Sequence, residues 1–372
     1  MTTEHASMHG EARAYAGRQV LVTGAFGFLG SHVARALVAG GARVTALDID
    51  TRPERISQIN SAPGLRDAIA VETGSVTDTE LVRRVFSRTR FDHVFHFAVF
   101  SAAIEHAAAH PTETLLVNST GIVHLLAAAV ETAQPLRSFL HASTDKVYGD
   151  LGGAPYSEEA DVYRCVGVYE ASKLAADLFA RSYRRNYGVP IAIARMCNVF
   201  GPHDVGGSRL VPRTMAAIFR DDCAPTVYAG CEHNRRDYLY VDDCCRALLM
   251  LAASDLTRLG DTTPVFQVPG TANLTTEDMC LRAIDAAATV AELGGETAFA
   301  RTVRQRSYCT RPPPRPGLPV IPVQHNPGAR LAAHTGFRPE VSLHDGLLRA
   351  AAFYRDLYRD RTPRSASDTR NA

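Results

Sequence analysis

The stretch VLVTGAFGFLGS, residues 20–31, decides the fold of this chain. Its apolar run, Val20 to Val22, stops at Gly24, and apolar residues at helical spacing begin near Phe28. Gly24, Gly27 and Gly30 mark a tight strand-to-helix turn between them. Residues without a Cβ let the backbone there approach a pyrophosphate held at the helix N-terminus. The spacing Gly-x-x-Gly-x-x-Gly is a relative of the dinucleotide fingerprint Gly-x-Gly-x-x-Gly. A purely structural Gly-rich turn would look the same locally, so the context decides. A second strand, Arg43 to Asp48, ends on a carboxylate eighteen positions beyond Gly30, where the second strand of such folds meets the adenosine ribose. The βαβ pattern therefore predicts a cofactor site on Gly24, Gly27, Phe28, Leu29 and Asp48.

The alternation continues along the first two hundred residues. Strands are predicted at 20–23, 43–48, 68–72, 93–97, 138–143 and 191–196, and helices at 28–39, 78–87, 111–132 and 169–186. Strands separated by helices imply an α/β, Rossmann-type doubly wound parallel sheet, with ligands at the edge where the strands end. After Gly201 the order becomes irregular, with segments at 210–219, 236–243 and 274–289. The run RPPPRPG, residues 311–317, cannot be a helix interior or a central strand. The expected organisation is a dinucleotide domain over 17–200 and a smaller interleaved C-terminal substrate lobe over 201–360. The tails 1–16 and 361–372 are expected to be disordered.

With 46% hydrophobic and 21% charged residues and a net charge of +1, the composition is that of a globular protein without a basic surface, which argues against a nucleic-acid partner. The eight cysteines form no Cys-x-x-Cys pair and no Cys/His metal spacing, so reduced, mostly buried thiols and no metal are expected. The polar first sixteen residues lack the apolar core of a signal peptide, and no run reads as a membrane span. These features predict a cytoplasmic protein.

Two further segments carry chemistry. FLHASTDKVYG, residues 139–149, is a strand running into Ser143 and Thr144, and YEASK, residues 169–173, opens a helix. Tyr169 and Lys173, four apart, lie on one helical face and can reach one ligand. A phenol with a pKa of about 10 is a poor base in water. The arrangement predicts that the Lys173 ammonium and a positive nicotinamide ring lower it, so that Tyr169 can deprotonate an alcohol.

These residues resemble the extended short-chain dehydrogenase/reductases that modify nucleotide sugars, from Val20 to about Tyr354. DHVFHFA (92–98), Val117-Asn118, RMCNVFGP (195–202), RLVP (209–212), RDYLYVDD (236–243) and Arg315-Pro-Gly317 are similar to segments of that family. The resemblance implies NAD as cofactor, with Ser75, Val76, Phe97, Ala98, Val99, Tyr169 and Lys173 beside it. It also implies a nucleoside-diphosphate sugar as substrate, held by Thr144, Asn198, Arg209, Leu210, Arg236 and Arg315. A planar guanidinium fork suits phosphate oxygens. Asp48 would repel a 2′-phosphate and so favour NAD over NADP, with Arg43 and Arg52 nearby to weaken that preference. Two positions depart from the family pattern. Ser75 stands where an adenine-reading Asp is usual. Thr144-Asp145-Lys146 stands where the sugar 4,6-dehydratases it most resembles commonly carry Thr-Asp-Glu, and it is similar to the Asp-Lys variant of some dehydratases.

On that resemblance the expected activity is an NAD-dependent nucleotide-sugar 4,6-dehydratase. Tyr169, with Thr144 and Lys173, would take the 4-hydroxyl proton as C4 is oxidised, Lys146 would take the C5 proton, and Asp145 would protonate the departing 6-hydroxyl. Lys146 can act as a base only with a lowered pKa, and Asp145 as an acid only with a raised one, which an adjacent ammonium opposes. A 4-epimerase, which needs neither residue 145 nor 146, is the alternative. A non-catalytic cofactor-binding module would lack the Tyr or the Lys. Helices 111–132 and 169–186 have Ala/Leu-rich faces that either pack on their own sheet or, as is common in the family, pair into a homodimer.

Overall fold

The computed structural model describes residues 10–101, 103–159, 163–165, 167–259, 263–312 and 320–359. Twelve strands are described: β1 (Gln19–Thr23), β2 (Arg43–Asp48), β3 (Ala70–Thr73), β4 (His93–His96), β5 (Ser138–Thr144), β6 (Ile191–Met196), β7 (Asn198–Phe200), β8 (Thr226–Tyr228), β9 (Arg235–Tyr240), β10 (Val265–Val268), β11 (Ala272–Thr275) and β12 (Cys309–Arg311). Seven form the main sheet in the order β10-β6-β5-β4-β1-β2-β3, every neighbouring pair parallel. This is a Rossmann-like doubly wound sheet. The order reverses between β1 and β4, and a ligand crevice opens outside the strand ends at such a point.

Alternation along β1 divides the two cores. Val20 and Val22 face the helix Phe28–Ala39, packing with Val33, Ala36 and Leu37, whereas Leu21 faces the opposite layer with Ile122, Leu125 and Ala176. Central strands covered on both faces read as continuous apolar runs, and β5 is buried at all seven positions. Helix starts follow local chemistry. Asp78 caps Thr79–Arg88 by accepting from the Leu81 amide at 3.0 Å, satisfying one of the free N–H groups of the first turn.

The chain beyond residue 201 is woven into the first part. β10 returns to the main sheet beside β6. The other strands form a three-stranded sheet, β11-β9-β7, and a pair, β12-β8. The sheet of β7 and β9 brings residues 198–200 and 235–240 beside the crevice.

Two expectations need correction. The N-terminal arm was expected to be disordered through residue 16, but Arg13–Tyr15 forms a 3-10 turn. Tyr15 is fully buried and donates to the Leu249 carbonyl at 2.7 Å. A phenol ring buried against His93 and Phe95 anchors the arm. The chain was also read as free of span-length apolar segments. The continuous helix Pro111–Glu131 is long and apolar enough to cross a membrane by length and composition alone, although half of its apolar window is buried inside the fold.

Candidate active site

A cavity of about 960 Å³ lies across the strand ends. Its floor is the glycine turn. Gly24 sits at φ +66°, where a Cβ would fall 2.7 Å from the Ala98 nitrogen; at Gly30 a Cβ would meet the Gly24 carbonyl oxygen at 2.2 Å. No side chain larger than hydrogen fits at either place, so glycine is what lets the turn pack this closely on itself and on the chain just after β4. Gly27 is the N-cap of Phe28–Ala39 and supplies no side-chain acceptor. The first amides of that helix are therefore left for an anion.

Every cofactor residue expected from the sequence lines this cavity: Gly24, Gly27, Phe28, Leu29, Asp48, Ser75, Val76, Phe97, Ala98, Val99, Tyr169 and Lys173. Asp48 is buried at the end of β2, where it accepts from the Phe26 amide at 2.8 Å and from the Asp50 amide at 3.0 Å. It is also paired with Arg55 at 2.8 Å. The sequence pointed to Arg43 and Arg52 as its cationic neighbours. Arg52 instead pairs with Asp50, Arg43 begins β2 at the opposite end of the strand, and Arg55 was missed because it lies in an irregular loop. Ser75 bonds Thr77 Oγ1 at 2.7 Å and accepts from the Thr77 amide at 3.1 Å.

The catalytic candidates converge at the end of β5 and the first turn of the helix Val168–Tyr187. Thr144, Lys146, Tyr169 and Lys173 line the cavity. Lys173 is buried, donates to the Ala142 carbonyl at 2.6 Å, and has its pKa lowered to about 8 by burial. The Tyr169 hydroxyl shifts opposite to expectation: burial and the neighbouring Glu170 carboxylate push its pKa up, while Arg209 and a hydrogen bond with Thr144 pull it down. The Lys173 ammonium donates to the Ala142 carbonyl and is not among the charges that shift the phenol most. The protein scaffold by itself holds the phenol above its ordinary range, and the expected lowering invokes the nicotinamide charge as well.

Asp145 departs from its expected placement too. It is 1% exposed and does not line the cavity. Its carboxyl accepts from Gln324 Nε2 at 3.2 Å, Asn326 Nδ2 at 3.5 Å and Thr144 Oγ1 at 3.4 Å. Burial raises its pKa to about 6, aided by Asp237 and opposed by Lys146, Arg236 and the Thr144 hydrogen bond. Lys146 lines the cavity and Asp145 does not, yet the ammonium still opposes the upward shift, and burial outweighs it.

Of the substrate residues, Asn198, Arg209, Leu210 and Arg236 line the cavity, and Arg315 lies outside the described residues. Arg209 pairs with the buried Asp204 at 2.6 Å and lies 5.4 Å from the Phe28 ring centroid. Arg236 donates to the Arg235 and Pro322 carbonyls at 2.7 and 3.1 Å. Asn198 donates to the Asp237 carbonyl at 3.4 Å. Asn118, in a π-helical stretch at Leu116–Thr120, accepts from the Phe100 amide at 2.9 Å and donates to Ser172 at 2.9 Å, tying the two helices beside the site. A cluster at the mouth was not foreseen. Tyr228 donates to Glu105 at 2.5 Å, with the Arg213 and Arg311 guanidiniums 5.4 and 4.9 Å from its ring centroid. None of these residues sits in a recognisable motif.

Residues 20–261 match the model of the NAD dependent epimerase/dehydratase family. The chain belongs to that family. A relative, the dTDP-glucose 4,6-dehydratase of Streptomyces niveus, is 28% identical over 344 residues, 91% of this chain and 93% of its own length. UDP-glucuronate 4-epimerase 3 of Arabidopsis thaliana is 30% identical over 241 residues, covering 63% of this chain and 54% of its own. Among solved structures, the dTDP-glucose 4,6-dehydratase DesIV of Streptomyces venezuelae, determined with NAD bound, superposes with a TM-score of 0.72 at 26% identity, over 91% of this chain and 97% of its own. As a member of the NAD-dependent epimerase/dehydratase family the protein is an enzyme acting on nucleotide sugars with NAD. The cradle fits that cofactor: a tight turn that only glycine allows at residues 24 and 30, an uncapped helix N-terminus, and a carboxylate at the end of β2.

Proposed function

We propose that this family member is a nucleotide-sugar 4,6-dehydratase that converts a nucleoside-diphosphate hexose into its 4-keto-6-deoxy derivative. NAD, when bound, supplies the acceptor and then the donor of the transferred hydride. Tyr169 and Thr144 would hold the sugar 4-hydroxyl, and Tyr169 would take its proton as C4 becomes a ketone. A phenol held high by burial needs added positive charge to do this. Lys173 stands four residues along the same face, and the cationic nicotinamide is the other source. Lys146, projecting into the same cavity, would take the proton at C5. Asp145, still protonated near pH 6, would pass its proton through the Thr144 hydroxyl to the departing 6-hydroxyl. Arg236 and Arg209 would hold the diphosphate, Arg209 exchanging its bond to Asp204 for phosphate oxygens.

The observation that carries this reading is the placement of an acid with elevated proton affinity behind Thr144 and of a lysine in front of it. An epimerase requires neither. One observation favours the epimerase reading nonetheless: the Asp145 carboxyl reaches the cavity only through Thr144. Incubating the purified protein with dTDP-, UDP-, CDP- and GDP-hexoses and weighing the products separates the two. A product lighter by one water supports dehydration, whereas a C4 epimer of unchanged mass overturns it.

We further infer a homodimer through the helices Pro111–Glu131 and Val168–Tyr187. Leu115, Leu116, Leu178 and Phe179 are large apolar side chains that remain exposed on these two packed helices. Large apolar side chains left exposed on two packed helices favour this as the interaction surface.

A further inference from the structure

Residues 322–326 run beside β9 as a short strap. The Arg235 amide donates to the Pro322 carbonyl at 2.8 Å, and the Gln324 amide returns to the Arg235 carbonyl at 3.0 Å. Asn273 Nδ2 donates to the Gln324 carbonyl at 2.9 Å, and the Tyr156 amide donates to the His325 carbonyl at 3.0 Å. The Asn326 amide bonds the buried Asp237 carboxylate. The strap is therefore tied to β9, to β11 and to the loop after β5.

It meets the site at two places. Pro322 accepts from Arg236 at 3.1 Å. Two residues further on, Gln324 and Asn326 donate to opposite oxygens of Asp145, at 3.2 and 3.5 Å. Both side chains are buried, 0% and 2% exposed. The other end of each amide, Gln324 Oε1 and Asn326 Oδ1, is buried without a hydrogen-bond donor. A carboxamide carries a donor and an acceptor on one fork. An ionised carboxyl needs donors, which the amide nitrogens supply as they stand. A protonated carboxyl has a proton to donate, and an amide turned by half a rotation accepts it on the oxygen that is otherwise unpartnered. Lysine or arginine in these positions could serve only the ionised form, and a carboxylate only the protonated one.

We propose that Gln324 and Asn326 are positioning residues for Asp145, holding its carboxyl behind Thr144 in both protonation states, on a strap that also holds Arg236. The proposal rests on the reading of Asp145 as the acid of the site. Other groups facing Asp145 are Lys146 on its own turn, Arg236 and Asp237 on β9, Tyr169 on the helix Val168–Tyr187, Tyr156 on the loop after β5 and the Cys197 thiol between β6 and β7. His325 faces Asp237 at 3.4 Å. These groups set the field at Asp145, and the two amides set its geometry.

The test is an infrared titration of the full-length protein, following the protonated-carboxyl band that is lost in Asp145→Asn. Truncating an amide removes a partner from both forms, but the bond to the ionised carboxylate is the stronger, so Gln324→Met and Asn326→Leu should each move the Asp145 midpoint upward by about one pH unit. Gln324→Leu removes the donor without adding a charge and should move it in the same direction, so it serves if Gln324→Met fails to fold. Gln324→His retains a donor and should restore much of the wild-type midpoint. Midpoints within about 0.2 pH units of wild type in all the donor-less variants would overturn the proposal. This readout is separate from turnover. A wild-type protein that never dehydrates a sugar refutes the dehydratase reading, while the band still decides whether the amides govern Asp145.

Discussion

Replacing Asp145 by asparagine should remove the proposed acid and at the same time make the protein more stable at neutral pH. Burial raises the Asp145 pKa from the ordinary 3.8 to about 6. Between those two values the unfolded chain has released this proton while the folded chain keeps it. The unfolded state then binds fewer protons, so the free energy of unfolding falls as pH rises through the window. The penalty is absent below about pH 3.8 and complete above about pH 6. At 1.36 kcal/mol per pH unit it amounts to about 3 kcal/mol, a large part of the 5–15 kcal/mol typical of a folded protein. Asparagine has nearly the same shape, carries no charge, and can pair with Gln324 and Asn326 after amide rotation. Urea unfolding of both proteins at intervals from pH 4 to pH 8 measures the difference directly. The variant should match wild type near pH 4 and exceed it by about 3 kcal/mol at pH 7. A difference that stays constant across this range, or an Asn variant less stable at pH 7, would refute the argument. A constant difference would mean that Lys146 and Arg236 stabilise the ionised carboxylate as much as burial destabilises it, and a less stable variant that they do so more.

Tyr169→Phe should lower turnover by about a thousand-fold while calorimetry still detects NAD binding, because the phenol contributes proton transfer and not the cradle. A second buried pair lies below the site: Arg195 donates to Asp177 at 2.9 Å, both essentially without solvent exposure. Asp177→Asn should cost about 3–5 kcal/mol in urea unfolding by leaving a buried guanidinium uncompensated, and adding Arg195→Met should recover a large part of that loss. Asp177 also raises the pKa of Lys173, so the variant's activity should require a more acidic medium to keep that ammonium charged, a shift visible in its pH–rate profile. Finally, Leu116→Glu with Phe179→Glu should convert a dimer to a monomer in sedimentation experiments with the helical circular dichroism unchanged.

Much of the site was legible because it is written in local pattern. The turn from β1 to Phe28–Ala39 needs glycine for steric reasons that operate within a few residues, and Tyr169 and Lys173 share a face through helical periodicity alone. β2, β6 and Phe28–Ala39 have the same boundaries as the periodicity predicts. Thr144 follows from its place at the end of β5, and Lys146 from the turn Asp145–Tyr148 that begins just after it. The proton affinity of Tyr169 is not legible in this way. A pKa depends on burial and on where each neighbouring charge points, and Lys173 points at the Ala142 carbonyl.

What the sequence by itself determined is the cradle, the sheet and the positions of the candidate site residues along their strands and helices, because strand and helix periods and the steric needs of a turn are local properties. Only the tertiary structure decided which groups surround those side chains: Arg55 against Asp48, Asp204 against Arg209, and Gln324 and Asn326 against Asp145. These partners lie from 5 residues away, as Asp204 and Arg209 do, to 181 away, as Asp145 and Asn326 do. No period links them. Burial and charge act through space, and the proton affinity of the site is therefore a property of the folded chain.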